Sequence, residues 1–125
     1  QLVYATFLDA GVSKKQLDMK FDQLFQAIYT RFRTAEGYAL FPDVVPTLNE
    51  LKRRGFQMGV ISNSDDCLVD VIQSLRLDHY FDFILPSCMA GFEKPHGRIF
   101  QKALTLASPG ITPEAALHIG DDLQK

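Results

Sequence analysis

The chain predicts an α/β fold, a parallel-sheet core preceded by a helical element, on three observations. Short apolar runs at 56–61, 81–85 and 116–119 alternate with helical stretches at 67–75 and about 97–107. That strand, helix, strand, helix, strand order implies two right-handed crossovers and parallel neighbours. Residues 1 to about 40 carry only the three- and four-residue apolar spacing of helices. Lastly, polar and charged residues fall where the strands end, and open α/β sheets hold their ligands outside those carboxyl ends. The expected boundary is therefore near residue 40, with a helical segment over 1–40 and a sheet-containing segment over 41–125.

Each element has a local cause. Leu2, Val3, Tyr4, Phe7 and Leu8 already form an apolar face, and Gly11 stands where that first helix ends. Ser13-Lys14-Lys15-Gln16 is a capping-box pattern, after which Leu17, Phe21, Leu24, Phe25, Ile28 and Phe32 recur on one stripe. An antiparallel helical pair follows, its aromatic stripe expected to be buried against the core. Asp43 is placed to cap a helix to about residue 54 and Gly55 to end it. Asp65 or Asp66 caps the stretch 67–75, and Thr112-Pro113-Glu114 precedes the third strand.

Composition narrows the class. In 125 residues, 46% hydrophobic content is ample for a core, while 22% charged residues and a formal charge of -2 give no field that demands nucleic acid or an anionic membrane. Cys67 and Cys88 form no C-x-x-C, and the three histidines are scattered, so a reduced, intracellular and cytoplasmic protein is expected. No apolar stretch approaches the roughly 18 residues of a membrane helix, and no basic-then-apolar leader is present. No G-x-G-x-x-G, P-loop or H-E-x-x-H supports dinucleotide, P-loop nucleotide or zinc-protease chemistry. The chain begins with Gln1 in mid-pattern and stops three residues after the acidic pair Asp121-Asp122, as expected of a piece of a longer protein.

Three places could carry chemistry on one sheet edge. Ser62-Asn63, after Val60-Ile61, offers a hydroxyl and backbone amides to a phosphate oxygen; helix capping by Ser62, Asn63 or Asp65 is the competing reading. Glu93-Lys94-Pro95 sets an ammonium in a proline-bounded loop, where it is either a solvated lysine or a neutraliser of phosphoryl charge. Asp121 and Asp122 supply the hard oxygen ligands that magnesium accepts, with capping again the alternative. His96 borders the lysine loop, His118 reads as a core or neighbouring group, Cys88 as a small buried thiol, and Lys52-Arg53-Arg54 as a solvated helix end.

Val60-Ile61-Ser62-Asn63, then Glu93-Lys94-Pro95 with Ile99-Phe100, then His118-Ile119-Gly120-Asp121-Asp122 resemble, in order and spacing, the second, third and fourth motifs of the haloacid dehalogenase-like hydrolase superfamily. Phe81-Asp82-Phe83-Ile84 ahead of the lysine loop is similar to its helical-cap branch. The resemblance implies a three-layer Rossmann-like core, partial here, with residues 1–40 as part of a helical cap. It further implies a magnesium-dependent phosphohydrolase of small phosphoesters, working through an aspartyl-phosphate. Ser62 and the Asn63 amide would orient the phosphate, Lys94 would hold nucleophile and phosphoryl group, and Asp121, with Asp122 beside it, would bind the metal.

One departure is plain: the family's first motif, an apolar strand ending Asp-x-Asp, is absent from these residues. Phe81-Asp82-Phe83 lacks the second aspartate and falls between the second and third motifs. The motif is expected upstream of Gln1, and the 125 residues alone are expected to be inactive. A receiver domain is disfavoured because its acidic pair comes first and its Lys-Pro last. A dehalogenase needs no magnesium, so the acidic pair favours phosphate over it. A non-catalytic interaction module, with the aromatic stripe as its surface, is the alternative of a different class.

Overall fold

A computed structural model describes residues 2–121, which divide into two compact units, one up to Tyr38 and the other from Ala39 onward. In the first, α1 (Leu2–Asp9) and α2 (Lys14–Phe32) are joined by a turn in which Gly11, at φ 89°, donates its N–H to Leu8 O. Ser13 caps α2 as the sequence implies: its Oγ accepts from Gln16 N at 3.3 Å and donates to Gln16 Oε1 at 2.9 Å. Tyr4 OH donates to Asp18, and the Tyr4 ring meets Phe21 edge-on at 5.0 Å, so α1 lies on α2 through one aromatic contact and one hydrogen bond. Leu17 is buried, but Phe25, Tyr29 and Phe32 stay 38%, 41% and 56% exposed, and Phe21, Phe25 and Tyr29 pack ring against ring along the helix.

The second unit contains α3 (Val44–Arg53), β1 (Gly59–Ser62), α4 (Cys67–Ser74), β2 (Phe83–Pro86), α5 (Ser87–Ala90) and α6 (Gly97–Leu106). Asp43 takes the N-cap position of α3 through its carbonyl, which accepts from Thr47 N, and not through its side chain; Gly55, at φ 79°, ends the helix. Of the two aspartates before α4, Asp65 accepts from Cys67 N at 3.1 Å. Both strands begin later than their apolar runs: ahead of β1 Phe56 is exposed and only Met58 packs with the helices, and ahead of β2 Phe81 does so.

β1 and β2 pair in parallel, Gly59 with Phe83, Val60 with Ile84, Ile61 with Leu85 and Ser62 with Pro86. Side chains alternate between faces along a strand, and the packing follows that alternation. Met58, Val60 and Ile84 join Val44 and Leu48 of α3 and Leu68 and Ile72 of α4, whereas Ile61, Phe83 and Leu85 join Ala90 of α5 and Ile99, Phe100 and Ala103 of α6. The result is helix, sheet, helix: an α/β fold with a parallel sheet packed on both faces, the partial three-layer Rossmann-like core the sequence implies.

The third strand does not form. Residues 116–120 are extended at Ala116 (φ -111°, ψ 138°), but they pair with no strand among the described residues, and Leu117 and Ile119 are 85% and 81% exposed. An apolar run becomes a strand only where a neighbour completes its ladder hydrogen bonds. His118 is accordingly exposed rather than core, its ring set edge-on against Phe100 at 5.1 Å. No described helix is long and apolar enough to cross a membrane.

Candidate active site at the carboxyl edge of the sheet

Parallel pairing brings the ends of β1 and β2 to one edge, and the loops that leave them are stitched together there. Ser64 N donates to Ser87 Oγ at 3.2 Å, Ser87 Oγ donates to Ser64 O at 3.2 Å, and Cys88 N donates to the same carbonyl at 3.2 Å. Ser87 is 7% exposed, so this clasp between the loop after β1 and the start of α5 is largely out of water. A second clasp lies beside it: Lys94 N donates to Asn63 Oδ1 at 2.7 Å and Asn63 Nδ2 donates to Lys94 O at 2.9 Å.

Between the clasps opens a pocket of about 470 Å³, lined by Asn63, Ser64, Asp65, Ser87, Cys88, Gly91, Phe92 and Glu93. Its walls are two loops and a four-residue helix, and Ser64 Oγ is buried beside it without a hydrogen-bond partner. Ser62 and Lys94 do not line the pocket; they adjoin it, each one residue from a lining residue and each half-buried. The Lys94–Pro95 peptide bond is cis.

Beyond the lysine loop, His96 is the N-cap of α6. Its Nδ1 accepts from Arg98 N at 3.2 Å, and its ring packs against Phe92 at 5.1 Å, so it braces the loop.

Asn63 and Lys94, 31 positions apart, are thus held in contact, with Ser62 next to the first. Asp121 follows the extended segment, exposed, three residues after the His118 whose ring leans on the first turn of α6. No hydrogen bond or ion pair joins it to Ser62, Asn63 or Lys94 among the described residues, and Asp122 lies outside those residues. A carboxylate is a hard oxygen donor, which fits a hard cation.

A different group, Asp65, Asp66 and Cys67, brings three donor atoms within 4.8 Å of one another. It suits magnesium poorly, since one donor is a soft sulfur and Asp65 is already engaged by Cys67 N. Sequence reasoning missed the serine clasp and the pocket's Phe92, and took Glu93 only as the neighbour of Lys94. The signal was there in the serines of Ser62-Asn63-Ser64 and Pro86-Ser87, each at the end of an apolar run. Cys88 is exposed and Cys67 buried, opposite to the buried thiol expected at 88.

An α/β core whose polar loops gather at the carboxyl edge of a parallel sheet is an architecture that many α/β proteins share, hydrolases of the haloacid dehalogenase-like type among them. Residues 6–124 match the family model of that description, and the chain belongs to the haloacid dehalogenase-like hydrolase family. It is 36% identical over 121 residues to haloacid dehalogenase-like hydrolase domain-containing protein 3 of Xenopus laevis, covering 97% of this chain and 48% of that protein. The human protein of the same name is also 36% identical over 121 residues, with 97% and 46% covered. A glyceraldehyde 3-phosphate phosphatase of Methanothermobacter thermautotrophicus is 38% identical over 82 residues, 65% of this chain and 35% of that protein. The chain spans about half the length of the vertebrate relatives it matches.

Proposed function

We propose that these residues form part of a magnesium-dependent phosphohydrolase of small phosphoesters, residues 1–40 belonging to its helical cap and 41–125 to its catalytic core. The observation that carries this reading is the Asn63–Lys94 clasp, which seats the end of β1 and the lysine loop side by side at the pocket. The likeness to a protein named as a phosphatase supports phosphate over carbon-halogen chemistry.

In this reading the Ser62 hydroxyl and the Asn63 backbone N–H donate to phosphoryl oxygens, and the Lys94 ammonium neutralises the charge that develops on them. Asp121, with Asp122 beside it, would hold the magnesium ion, which when bound supplies further neutralisation of phosphoryl charge. An aspartate from an Asp-x-Asp strand outside these 125 residues attacks phosphorus, the ester oxygen leaves with its pair of electrons, and water then cleaves the aspartyl-phosphate. The 125 residues by themselves are therefore inactive in this proposal.

The test assays generic phosphomonoesters with the complete protein, with and without magnesium, and repeats the assay with Lys94→Ala and Asp121→Asn. Magnesium-stimulated turnover that both substitutions depress supports the assignment; turnover undiminished in both ends it.

A further inference from the structure

Asn63 follows the phosphate-facing Ser62, and a carboxamide in that place has two possible employments: donating to a ligand or holding the protein. Its polar atoms are already committed to the second. Oδ1 accepts from Lys94 N at 2.7 Å and Nδ2 donates to Lys94 O at 2.9 Å, so both ends of the group grip the main chain of one residue. A carboxamide offers two N–H donors and one oxygen, and this arrangement leaves one donor whose direction is already fixed by the other two bonds. We infer that Asn63 is a positioning residue: its side chain sets the height and direction from which Lys94 projects, and any contact it makes to a phosphoryl group is through its backbone N–H.

The surroundings explain why such a brace is needed. The segment between α5 and α6 has no regular structure over 92–96, and Lys94 lies in its middle. The other anchors are these: Lys102 Nζ donates to Met89 O at 2.9 Å and Ala90 O at 3.3 Å and Gly91 N donates to Ser87 O at 2.9 Å, both ahead of the segment, while His96 N donates to Glu93 O at 2.9 Å and closes a turn within it. Of these, none ties Lys94 to another element. Asn63 does, and it links the loop directly to the residue after β1, the part of the edge on which substrate phosphate is proposed to sit. Catalysis by a point charge depends on its placement, and a misplacement of about 1 Å costs on the order of a hundredfold in rate.

This inference rests on the phosphohydrolase reading for its catalytic half, and the test separates the two. Amide hydrogen exchange at Lys94 is followed in the complete protein, in Asn63→Ala and in Asn63→Asp, alongside steady-state kinetics on p-nitrophenyl phosphate with magnesium. In Asn63→Ala, exchange at Lys94 N–H is expected to accelerate about tenfold or more as its acceptor is removed. In Asn63→Asp the acceptor for Lys94 N–H is kept but the donor to Lys94 O is replaced by a carboxylate oxygen facing a carbonyl, so protection is expected between wild type and Asn63→Ala. Turnover number in Asn63→Ala falls about ten- to a hundredfold while KM changes less than about threefold. The double variant Asn63→Ala with Lys94→Ala is no slower than Lys94→Ala alone, because one residue acts through the other. Unchanged Lys94 exchange in Asn63→Ala overturns the inference, as do multiplying losses in the double variant. A wild type without magnesium-stimulated turnover, in which Asn63→Ala still releases Lys94, instead overturns the phosphohydrolase reading and leaves the brace standing.

Discussion

Gly59 and Phe83 face each other across the two strands, and the Phe83 ring fills the volume that a β-carbon on Gly59 would take. The glycine here answers a close approach and not a turn. Phe83 is itself packed among Ile61, Leu85 and Ile99, so its ring cannot swing away without disturbing that side of the sheet. Gly59→Ala is expected to destabilise the protein by about 1–3 kcal/mol, as overpacking does elsewhere. Urea unfolding followed by circular dichroism reads this as a lower midpoint at unchanged slope. The paired change Gly59→Ala with Phe83→Leu should recover part of the loss.

The serine clasp predicts a second loss. Ser87 Oγ both accepts from Ser64 N and donates to Ser64 O in a largely buried position. Ser87→Ala strands the Ser64 amide away from water, at a cost of about 1–3 kcal/mol. Because Asn63 adjoins Ser64, hydrogen exchange at 63–65 should rise more than at α3 in the same variant.

How far the sequence discloses this molecule depends on which neighbour each residue needs. Ser13 and Gly11 act on their own few residues, and both do what their local chemistry implies. The strands at 59–62 and 83–86 are legible too, since Val60 and Ile61 send alternate side chains to opposite helical layers. Leu117 and Ile119 carry the same pattern, yet a strand is a property of a pair, and no ladder partner stands beside them among the described residues. The candidate site divides in the same way. Ser62 and Lys94 are readable as chemistry-bearing types at strand ends, whereas the Asn63 grip on the Lys94 peptide is a three-dimensional fact that no spacing encodes. The exposed Cys88 escaped for a related reason, since nothing local to Pro86-Ser87-Cys88-Met89 announces a four-residue helix that turns it outward.

The two thiols should be distinguishable by a simple reagent. Cys88 is exposed on the pocket wall, and Cys67 is buried at the start of α4. Titration with a chromogenic disulfide at neutral pH is expected to give one fast and one slow thiol, the slow one released at the unfolding rate. Cys88→Ser removes the fast phase and leaves the slow one.

A pH effect follows from the end of α3. Hydrogen bonds from Arg53 and then Arg54 hold the Glu50 carboxyl below the usual glutamate range, with side-chain contacts of 2.7 and 2.8 Å. A depressed folded-state value means that the contribution is fully present above the unfolded-state value, about pH 4.3, and fades as pH falls through the lower folded value. The network is solvent-exposed, so the effect is small and is screened by salt. Glu50→Gln should lower the unfolding midpoint slightly at pH 7 in low salt, and the difference from wild type should vanish on acidification below that window.

The last prediction concerns what Lys94 contributes apart from its place. Asn63 holds the lysine by its peptide N–H and C=O and leaves the ammonium to the site. Replacing the side chain therefore subtracts charge without undoing the loop. In the complete protein, Lys94→Ala is expected to keep the wild-type melting temperature and the wild-type protection of its own amide. Turnover of phosphomonoesters should nevertheless fall about a hundred- to a thousandfold, the usual loss when one preorganised charge donor is removed from a developing oxyanion. Lys94→Arg should recover little, because a planar fork on a different stem does not put its charge where a compact ammonium sat. Thermal melts, exchange rates and turnover measured on the same preparations separate the two contributions. A collapse of loop protection in Lys94→Ala would mean that the side chain, and not the Asn63 grip on the peptide, keeps residues 92–96 in place.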